Sequence, residues 1–562
     1  MTDSSGKIDD MDTSVKGDAE PNDTVVAGSP ADRNSISVGH AAIAGVLGAA
    51  ISLALGELFD RLSGSLSSLV IGMFDLLVDI TPGGIVAWSI NTLGTLQKPF
   101  LVTGIVVGSL AIGALLGVAA RKNPTILAGG FLLFGVIGGF ATSRSDLTSA
   151  PGSWIVALLA AVVGAATALG LIMAARGTAS DASSDTYPLS AQPGTVDRRT
   201  LLYGGAAAAA VAVTAAARVG RTSAAEIARD EIVASAGNVT AVNVSAVSGG
   251  FDDVDGITSF VTPISPSDEF YLIDTAFRKP EVNPDTWSLT INGLYADTPM
   301  TYTYDDLLNR DDLFTSTVTL SCVSNPVGGD LVGNAVWTGV PLSALLDEAG
   351  IQDPEEWEHQ IFSRSVDGFT CGFQVPIAYD GRTAMVALMM NGEPLPIAHG
   401  FPARLVIAGL YGYVSATKWL EQIEITDWDG VDGFWQPRGW AKYGPVKTQS
   451  RIDTPTQGGQ QPAGAMTIAG VAWNPGFGIE QVEVGFTNAE TQDSTQWFVA
   501  ELAEVETDET WVQWRFDWDG PAGDWFIQSR ATDKSGFTQS PIPVAPAPNG
   551  AEGYHTIAIR TA

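Results

Sequence analysis

Apolar residues are spread unevenly along this 562-residue chain. Residues 1 to about 38 are polar, rich in Gly, Ser and Asp and without apolar period, which predicts a disordered acidic tail. "HAAIAGVLGAAISLALGELF" (40–59) then runs for roughly twenty residues with one acid near its end, long enough to cross a bilayer. Similar runs fill 99–120, 124–142 and 152–175, with a Gly/Ala-rich one at 200–218. About five transmembrane spans are therefore predicted within residues 39–220. The stretch 64–91 is apolar too, but Asp75, Asp79, Pro82 and glycines interrupt it, which predicts an interfacial or re-entrant piece.

Basic residues orient these spans. Arg121 and Lys122 join the second to the third, and Arg176, Arg198 and Arg199 lie between the fourth and fifth, so those ends are expected in the cytoplasm. The chain then reads as a multi-pass protein of the cell membrane with everything after residue 220 extracellular. The pair Arg198–Arg199 ahead of a small-residue apolar run also resembles a twin-arginine export signal, and a plain positive-inside anchor explains it equally well.

Residues 221–262 are rich in Ser, Gly, Asp and Ala and read as a linker. From 263 to 455, short strand patterns such as "WSLTING" and "ARLVIAG" alternate with helical pieces such as "LSALLDEAG", which predicts a mixed α+β domain. Beyond "RIDTPTQGGQQPAG" only short strands follow, and 456–562 read as an immunoglobulin-like β-sandwich, a candidate surface for a homodimer. The fold class expected is thus multidomain: an N-terminal α-helical membrane domain, an α+β domain and a C-terminal β-sandwich.

Charge narrows the partners. The formal net charge is −33, so a phosphate backbone would be repelled and nucleic acid is excluded as a partner. So acidic a surface with few lysines resembles that of proteins from salt-loving, halophilic microbes, whose surroundings screen self-repulsion. Mean hydropathy is nevertheless positive, at +0.17, because the membrane runs offset the acidic remainder. The two cysteines, Cys322 and Cys371, lie in no CxxC or CxxCH context, so neither an iron–sulfur cluster nor c-type haem is expected, although one disulfide between them remains open. Four histidines make a His-rich metal site improbable.

Two stretches hold candidate chemistry. Cys322 ends the strand pattern "STVTLSC" and precedes the glycine-rich loop "NPVGGDLVGN". A thiol there is either a small buried residue, the better reading of local pattern alone, or a thiolate at a strand end that a ligand can approach. In "NGEPLPIAHGFPARLVIAGLYGYVSATKWLEQIEITD" (391–427), His399, Arg404 and Lys418 stand among glycines and prolines, with Ser415 and Thr417 nearby. Such loops suit a phosphate-bearing ligand, or simply a solvated basic face.

Taken together, "FYLIDTAF", "EVNPDTWSLTINGL", "TLSCVSN", "WTGVPLSALL", "SVDGFT", "MNGEPLPIAHGFPARLV", "YGYVSATKWL" and "WQPRGW" make residues 263–455 resemble the molybdopterin domain of the sulfite oxidase family. Residues 460–562 resemble that family's immunoglobulin-like dimerisation domain, and the spans ahead resemble its membrane-anchored members in actinobacteria and haloarchaea. The resemblance implies a molybdopterin (Mo-molybdopterin) cofactor, with Cys322 as thiolate ligand of the metal. It implies that His399, Arg404 and Lys418 hold the pterin and its phosphate, with backbone contacts from Ser415, Ala416 and Thr417. By the same matching, Tyr271, Asp274 and Thr275 touch the cofactor, Ser365 faces the metal, and Arg438 belongs to an anion pocket.

Departures from the pattern bear on the substrate. Where sulfite oxidases carry an arginine in the leading segment, the candidates are Leu272, Ile273 and Asp274; their tyrosine before "MNG" falls at Leu388; and "PVGGD" replaces the arginines after the cysteine. Each change removes a donor or cation from an oxyanion site. The resemblance implies oxygen-atom transfer coupled to two-electron transfer, with a separate cytochrome or copper protein as electron carrier. Reduction of sulfoxides on the same cofactor, and a non-catalytic membrane receptor, are the alternatives.

Overall fold

A computed structural model describes residues 36–63, 66–93, 96–144, 149–177, 202–208, 210–211, 224–235, 251, 262–276, 279–351 and 358–562. Most of the expected N-terminal tail lies outside these. Six helices come first: α1 (Val38–Leu62), α2 (Leu69–Ile80), α3 (Gly83–Leu93), α4 (Gln97–Ala119), α5 (Pro124–Thr142) and α6 (Ala150–Gly177). Among the described residues, four helices are long and apolar enough to cross a membrane, α1, α4, α5 and α6. These take up four of the five expected runs; of the fifth, at 200–218, residues 202–208 and 210–211 are helical and the rest lie outside the described residues. The interrupted stretch at 64–91 forms the short α2 and α3, separated where Pro82 removes a backbone donor.

Small side chains let the long helices meet closely. A Cβ on Gly48 would lie 2.6 Å from the carbonyl oxygen of Gly164, and Ser52 donates to the Ala160 carbonyl at 2.7 Å, so α1 and α6 run antiparallel in near contact. One end of the bundle is closed by cations: Arg121 Nε donates to the Ile36 carbonyl at 2.8 Å, and Arg176 to the carbonyls of Ala120 and Arg121 at 3.2 and 3.0 Å. Lys98, Asp79 and Arg144 lie at the other end, against the next domain.

The expected linker begins with a helix, Ala224–Ser235. Its "AAEIARDEIVAS" is made of good helix formers, and Arg229 docks it by donating to the carbonyls of Leu395 and Pro394 at 3.0 and 3.1 Å.

The domain that follows is mostly β, with helices no longer than Leu342–Glu348, so its α content is smaller than the mixed pattern predicts. Its strands are β1 (Ser288–Gly293), β2 (Met300–Thr303), β3 (Phe314–Ser321), β4 (Val332–Pro341), β5 (His359–Ser365), β6 (Thr370–Gln374), β7 (Ala384–Met390), β8 (Glu393–Pro394), β9 (Arg404–Ile407) and β10 (Leu420–Asp427). One sheet has the order β2-β1-β10-β5-β6 and the other β3-β4-β7-β8, with β9 on β7. Leu289, Ile291, Trp337, Met385, Leu405 and Ile423, all fully buried, make the core between them. Leu388 is part of that core.

The C-terminal region is β-rich. A four-stranded sheet that includes Gly464–Trp473 and Val512–Gly520 and a five-stranded one that includes Ile479–Asn488, Gly523–Asp533 and His555–Thr561 enclose a core around Ile468, Val482, Trp514 and Ile527. Trp473 and Trp511 instead extend the core of the preceding domain, so the two units share packing at their junction.

Candidate functional site

Strand ends of the domain built from β1–β10 converge on one pocket of about 100 Å³. Cys322 follows β3 directly and is only 7% exposed, yet it lines the pocket. Its loop is tied back by Cys322 N–H to the Leu331 carbonyl and by Leu331 N–H to Asn325 Oδ1, at 2.9 and 3.0 Å. Burial pushes the thiol up, and the Ser324 N–H, 3.4 Å from Sγ, opposes that shift. Cys371 is also a free thiol, buried against Thr417 and Ser363, so the two cysteines are not bridged.

Arg404 opens β9, and Lys418 precedes β10. Gly400 allows them to meet His399: its φ is +112°, and a Cβ there would come 3.0 and 3.1 Å from the Cβ atoms of Lys418 and Arg404. His399 Nε2–H donates to the Ser267 carbonyl at 2.8 Å. Burial, aided by Arg404, lowers its pKa to about 3, so the ring is neutral with the proton on Nε2. The Arg404 guanidinium donates to the carbonyls of His399 and Leu405 at 3.2 and 3.3 Å and lies over the Trp337 ring, 5.0 Å from its centroid. No carboxylate pairs with it among the described residues, and burial pulls its pKa down to about 10. Lys418 is brought to about 8 by burial, against the pull of Asp274, whose Oδ2 it meets at 2.7 Å. Burial would raise the Asp274 carboxyl, but Lys418 and Lys98 together hold it below the ordinary carboxylate range.

Nine of the residues singled out by sequence share this pocket: Tyr271, Asp274, Thr275, Cys322, Ser365, His399, Arg404, Ala416 and Lys418. Ser415 and Thr417 do not; their hydroxyls turn inward, to the Tyr411 carbonyl at 3.1 Å and to Ser363 Oγ at 2.8 Å. Arg438 lines an adjoining cavity instead, where Asp79 of α2 meets its guanidinium at 2.8 Å. Of Leu272, Ile273 and Leu388, the apolar positions noted in the sequence, Ile273 lines the pocket as an apolar wall.

Sequence reasoning overlooked Asp367, Phe369, Trp435 and Trp440, which also line the pocket. Asp367 carries a carboxyl that burial raises, with Phe369 N–H donating to it at 3.1 Å. The signal was at hand, since these residues lie within or beside "SVDGFT" and "WQPRGW".

Behind the Cys322 loop stands the C-terminal region. Arg451 donates to the Gly329 carbonyl at 2.8 Å, and the His555 ring packs where a Cβ on Gly328 would sit.

Comparisons with known proteins fall on the same part of the chain. The oxidoreductase molybdopterin binding domain matches residues 276–435. A mitochondrial sulfite oxidase from Drosophila melanogaster is 29% identical over 288 residues, covering 44% of this chain and 48% of that one. An NADH nitrate reductase from Solanum lycopersicum is 30% identical over 190 residues, covering 30% and 20%. Among solved structures, the sulfane dehydrogenase SoxCD from Paracoccus pantotrophus aligns with 56% of this chain and 89% of its own, at 23% identity and a TM-score of 0.45. The chain spans about half the length of the sulfite oxidases it matches. With the family model covering the segment that carries Cys322, His399, Arg404 and Lys418, residues 276–435 form a molybdopterin-binding oxidoreductase domain of the sulfite oxidase family.

Proposed function

We propose that this chain is a membrane-anchored molybdopterin oxidoreductase that exchanges an oxygen atom and two electrons with its substrate. The observation that carries the reading is Arg404, a guanidinium 5% exposed with no carboxylate partner among the described residues. A buried cation of that kind calls for a bound anion, and the phosphate of a pterin cofactor fits it, in a pocket that the Cys322 thiol also lines. Cys322 would hold the metal as thiolate, a soft ligand suited to a redox metal. His399, Arg404 and Lys418 would hold the pterin and its phosphate, beside Tyr271, Asp274, Thr275, Ser365 and Ala416.

The cofactor supplies the oxygen and electron exchange; the chain positions the substrate and manages protons. Asp367 stands on both the pocket and the adjoining cavity, and burial raises its carboxyl, so it is placed to exchange a proton with a substrate that spans the two. Electrons then pass to or from a separate carrier, a cytochrome or copper protein. The C-terminal region is read as an immunoglobulin-like dimerisation domain of residues 456–562.

Sidedness follows from the ends of the bundle. Arg121 and Arg176 gather opposite Lys98 and Asp79, and the end they mark is assigned to the cytoplasm. The Tyr203 hydroxyl donates to the His40 carbonyl at 3.3 Å on that end, whereas Arg229 is docked on the catalytic domain. These two placements support the reading of a further crossing and an extracellular catalytic domain. Reduction of a sulfoxide is the second reading, favoured by the pairing of Arg438 with Asp79, which occupies the cation expected to bind sulfite.

Metal analysis of full-length protein matured in a molybdenum-competent host tests the proposal. About one molybdenum per chain is expected, with turnover of sulfite or of a sulfoxide lost in Cys322→Ser; protein without molybdenum would sink it.

A further inference from the structure

Beside the Cys322 pocket lies a second cavity of about 700 Å³, walled on one side by α2, α3 and the start of α4 and on the other by the catalytic domain. Asp274, Thr275, Asp367, Phe369 and Trp435 line both spaces, so the two adjoin. Organic ligands of drug size occupy cavities of ~300–1,000 Å³. An inorganic oxyanion of a few atoms, set against ~30 Å³ for one water, would leave most of this one unfilled. Much of the wall is apolar, with Phe74, Ile85, Trp88, Phe100 and Phe434 contributing.

Its charges disfavour anions. Six acidic and four basic side chains line the space, and three of the four basic ones are already paired. Arg438 and Arg144 both meet Asp79, at 2.8 and 3.5 Å, and Lys98 meets Asp274 at 3.3 Å. Arg438 also donates to the Phe434 carbonyl at 2.6 Å and lies 3.7 Å over the Phe434 ring. The membrane side packs closely on this turn: a Cβ on Gly83, at the start of α3, would come 2.7 Å from the Arg438 backbone carbonyl.

We propose that this cavity is a substrate chamber built jointly by the membrane and catalytic domains. It takes an uncharged organic molecule with an apolar body, and Asp79 sets that specificity by neutralising Arg438 against oxyanions. The inference rests on the reading that the adjoining pocket holds the molybdenum cofactor. The substrate's polar end would pass between Phe369 and Trp435 toward that pocket, and its body would lie along α2 and α3.

Two probes with the same ring test it: neutral methyl phenyl sulfoxide and anionic benzenesulfinate, titrated against the full chain in nanodiscs by saturation-transfer NMR. The neutral probe should bind at least ten-fold tighter, and Ser89→Trp, which fills the chamber from α3, should weaken it at least ten-fold. Asp79→Asn should narrow the preference to under three-fold by improving benzenesulfinate, and adding Arg438→Gln should restore it. Should Asp79→Asn fail to fold, Arg438→Gln alone decides: benzenesulfinate binding unchanged supports a cation already neutralised, and a ten-fold loss overturns it. Benzenesulfinate binding as tightly as the sulfoxide in the wild type, or sulfoxide binding indifferent to Ser89→Trp, also overturns the proposal. These constants are read with or without molybdenum, so a failure of the cofactor reading shows separately as absent metal.

Discussion

Lys98, in the first turn of α4, holds Asp274 of the catalytic domain from three directions. Its Nζ donates to the backbone carbonyls of Asp274 and Ala276 at 2.7 and 3.0 Å and pairs with Asp274 Oδ1 at 3.3 Å. The other carboxylate oxygen takes Lys418, so one side chain joins a membrane helix to the wall of the cofactor pocket. The bundle is thereby part of the site's construction as well as its anchor.

Lys98→Met should therefore loosen the cofactor without unfolding the domain. The Lys98 side chain is 38% exposed, so solvent screens the pair and its loss is worth about 1 kcal/mol. Molybdenum per chain after extensive dilution should fall about five-fold, while circular dichroism is unchanged. Undiminished molybdenum would show that Lys418 alone keeps Asp274 in place.

Arg404 invites a test with opposite signs in two states. Without cofactor, a buried guanidinium lacking a carboxylate is a cost, so Arg404→Met should melt at the same temperature as the parent or higher. With cofactor, charge-assisted hydrogen bonds worth ~1.5–3 kcal/mol each disappear, and cofactor content should drop at least ten-fold. Arg404→Lys should not rescue it, because an ammonium lacks the planar fork that meets a phosphate. Melting curves of metal-free protein and metal content of loaded protein give the two signs; a drop in both would mark Arg404 as purely structural.

The same residues show how far the chain could be read. The four long apolar helices and the Cys322 loop were legible because each is local: a hydrophobic run of bilayer length, and a cysteine between a strand and glycines. His399, Arg404 and Lys418 were legible as a cluster because they lie close in sequence. The Asp79–Arg438 pair was not, since its partners are 359 positions apart and carboxylates in an apolar run look like interruptions. Thr417 and Ser415 stand in the right loop, but whether alternate hydroxyls face the ligand or the core depends on the turn around Tyr411, which no spacing announces. The helix at 224–235 was hidden by the Ser/Gly-rich composition that follows it.

Gly328 offers a test of how the C-terminal region braces the Cys322 loop. Its φ is +75°, and a Cβ would collide with the His555 ring. Gly328→Ala combines backbone strain with that collision, and a destabilisation of ~1–3 kcal/mol is expected. In the Gly328→Ala/His555→Ala double variant the steric share should return and the backbone share remain, so melting temperature should recover in part. Full recovery would mean that the loop readily adopts another conformation.

His555 should also make the same junction sensitive to acid. Its Nδ1 accepts the Ile452 N–H at 2.9 Å, a role it loses when that nitrogen is protonated. Burial, with Arg451 adding to it, lowers its pKa from 6.5 to about 4. Between those values the unfolded chain binds a proton that the folded one resists, so stability falls as pH drops through the window, by up to about 3 kcal/mol. Asp453, joined to the same surroundings through Arg451 at 2.6 Å, is raised by burial and works in the opposite sense. The informative quantity is therefore the difference between wild type and His555→Asn, which keeps an acceptor but does not titrate. Hydrogen exchange at the Ile452 amide, corrected for the intrinsic pH dependence, should show protection lost from pH 6.5 to 4 in the wild type and nearly level in His555→Asn. Parallel curves for the two proteins would remove His555 as the cause.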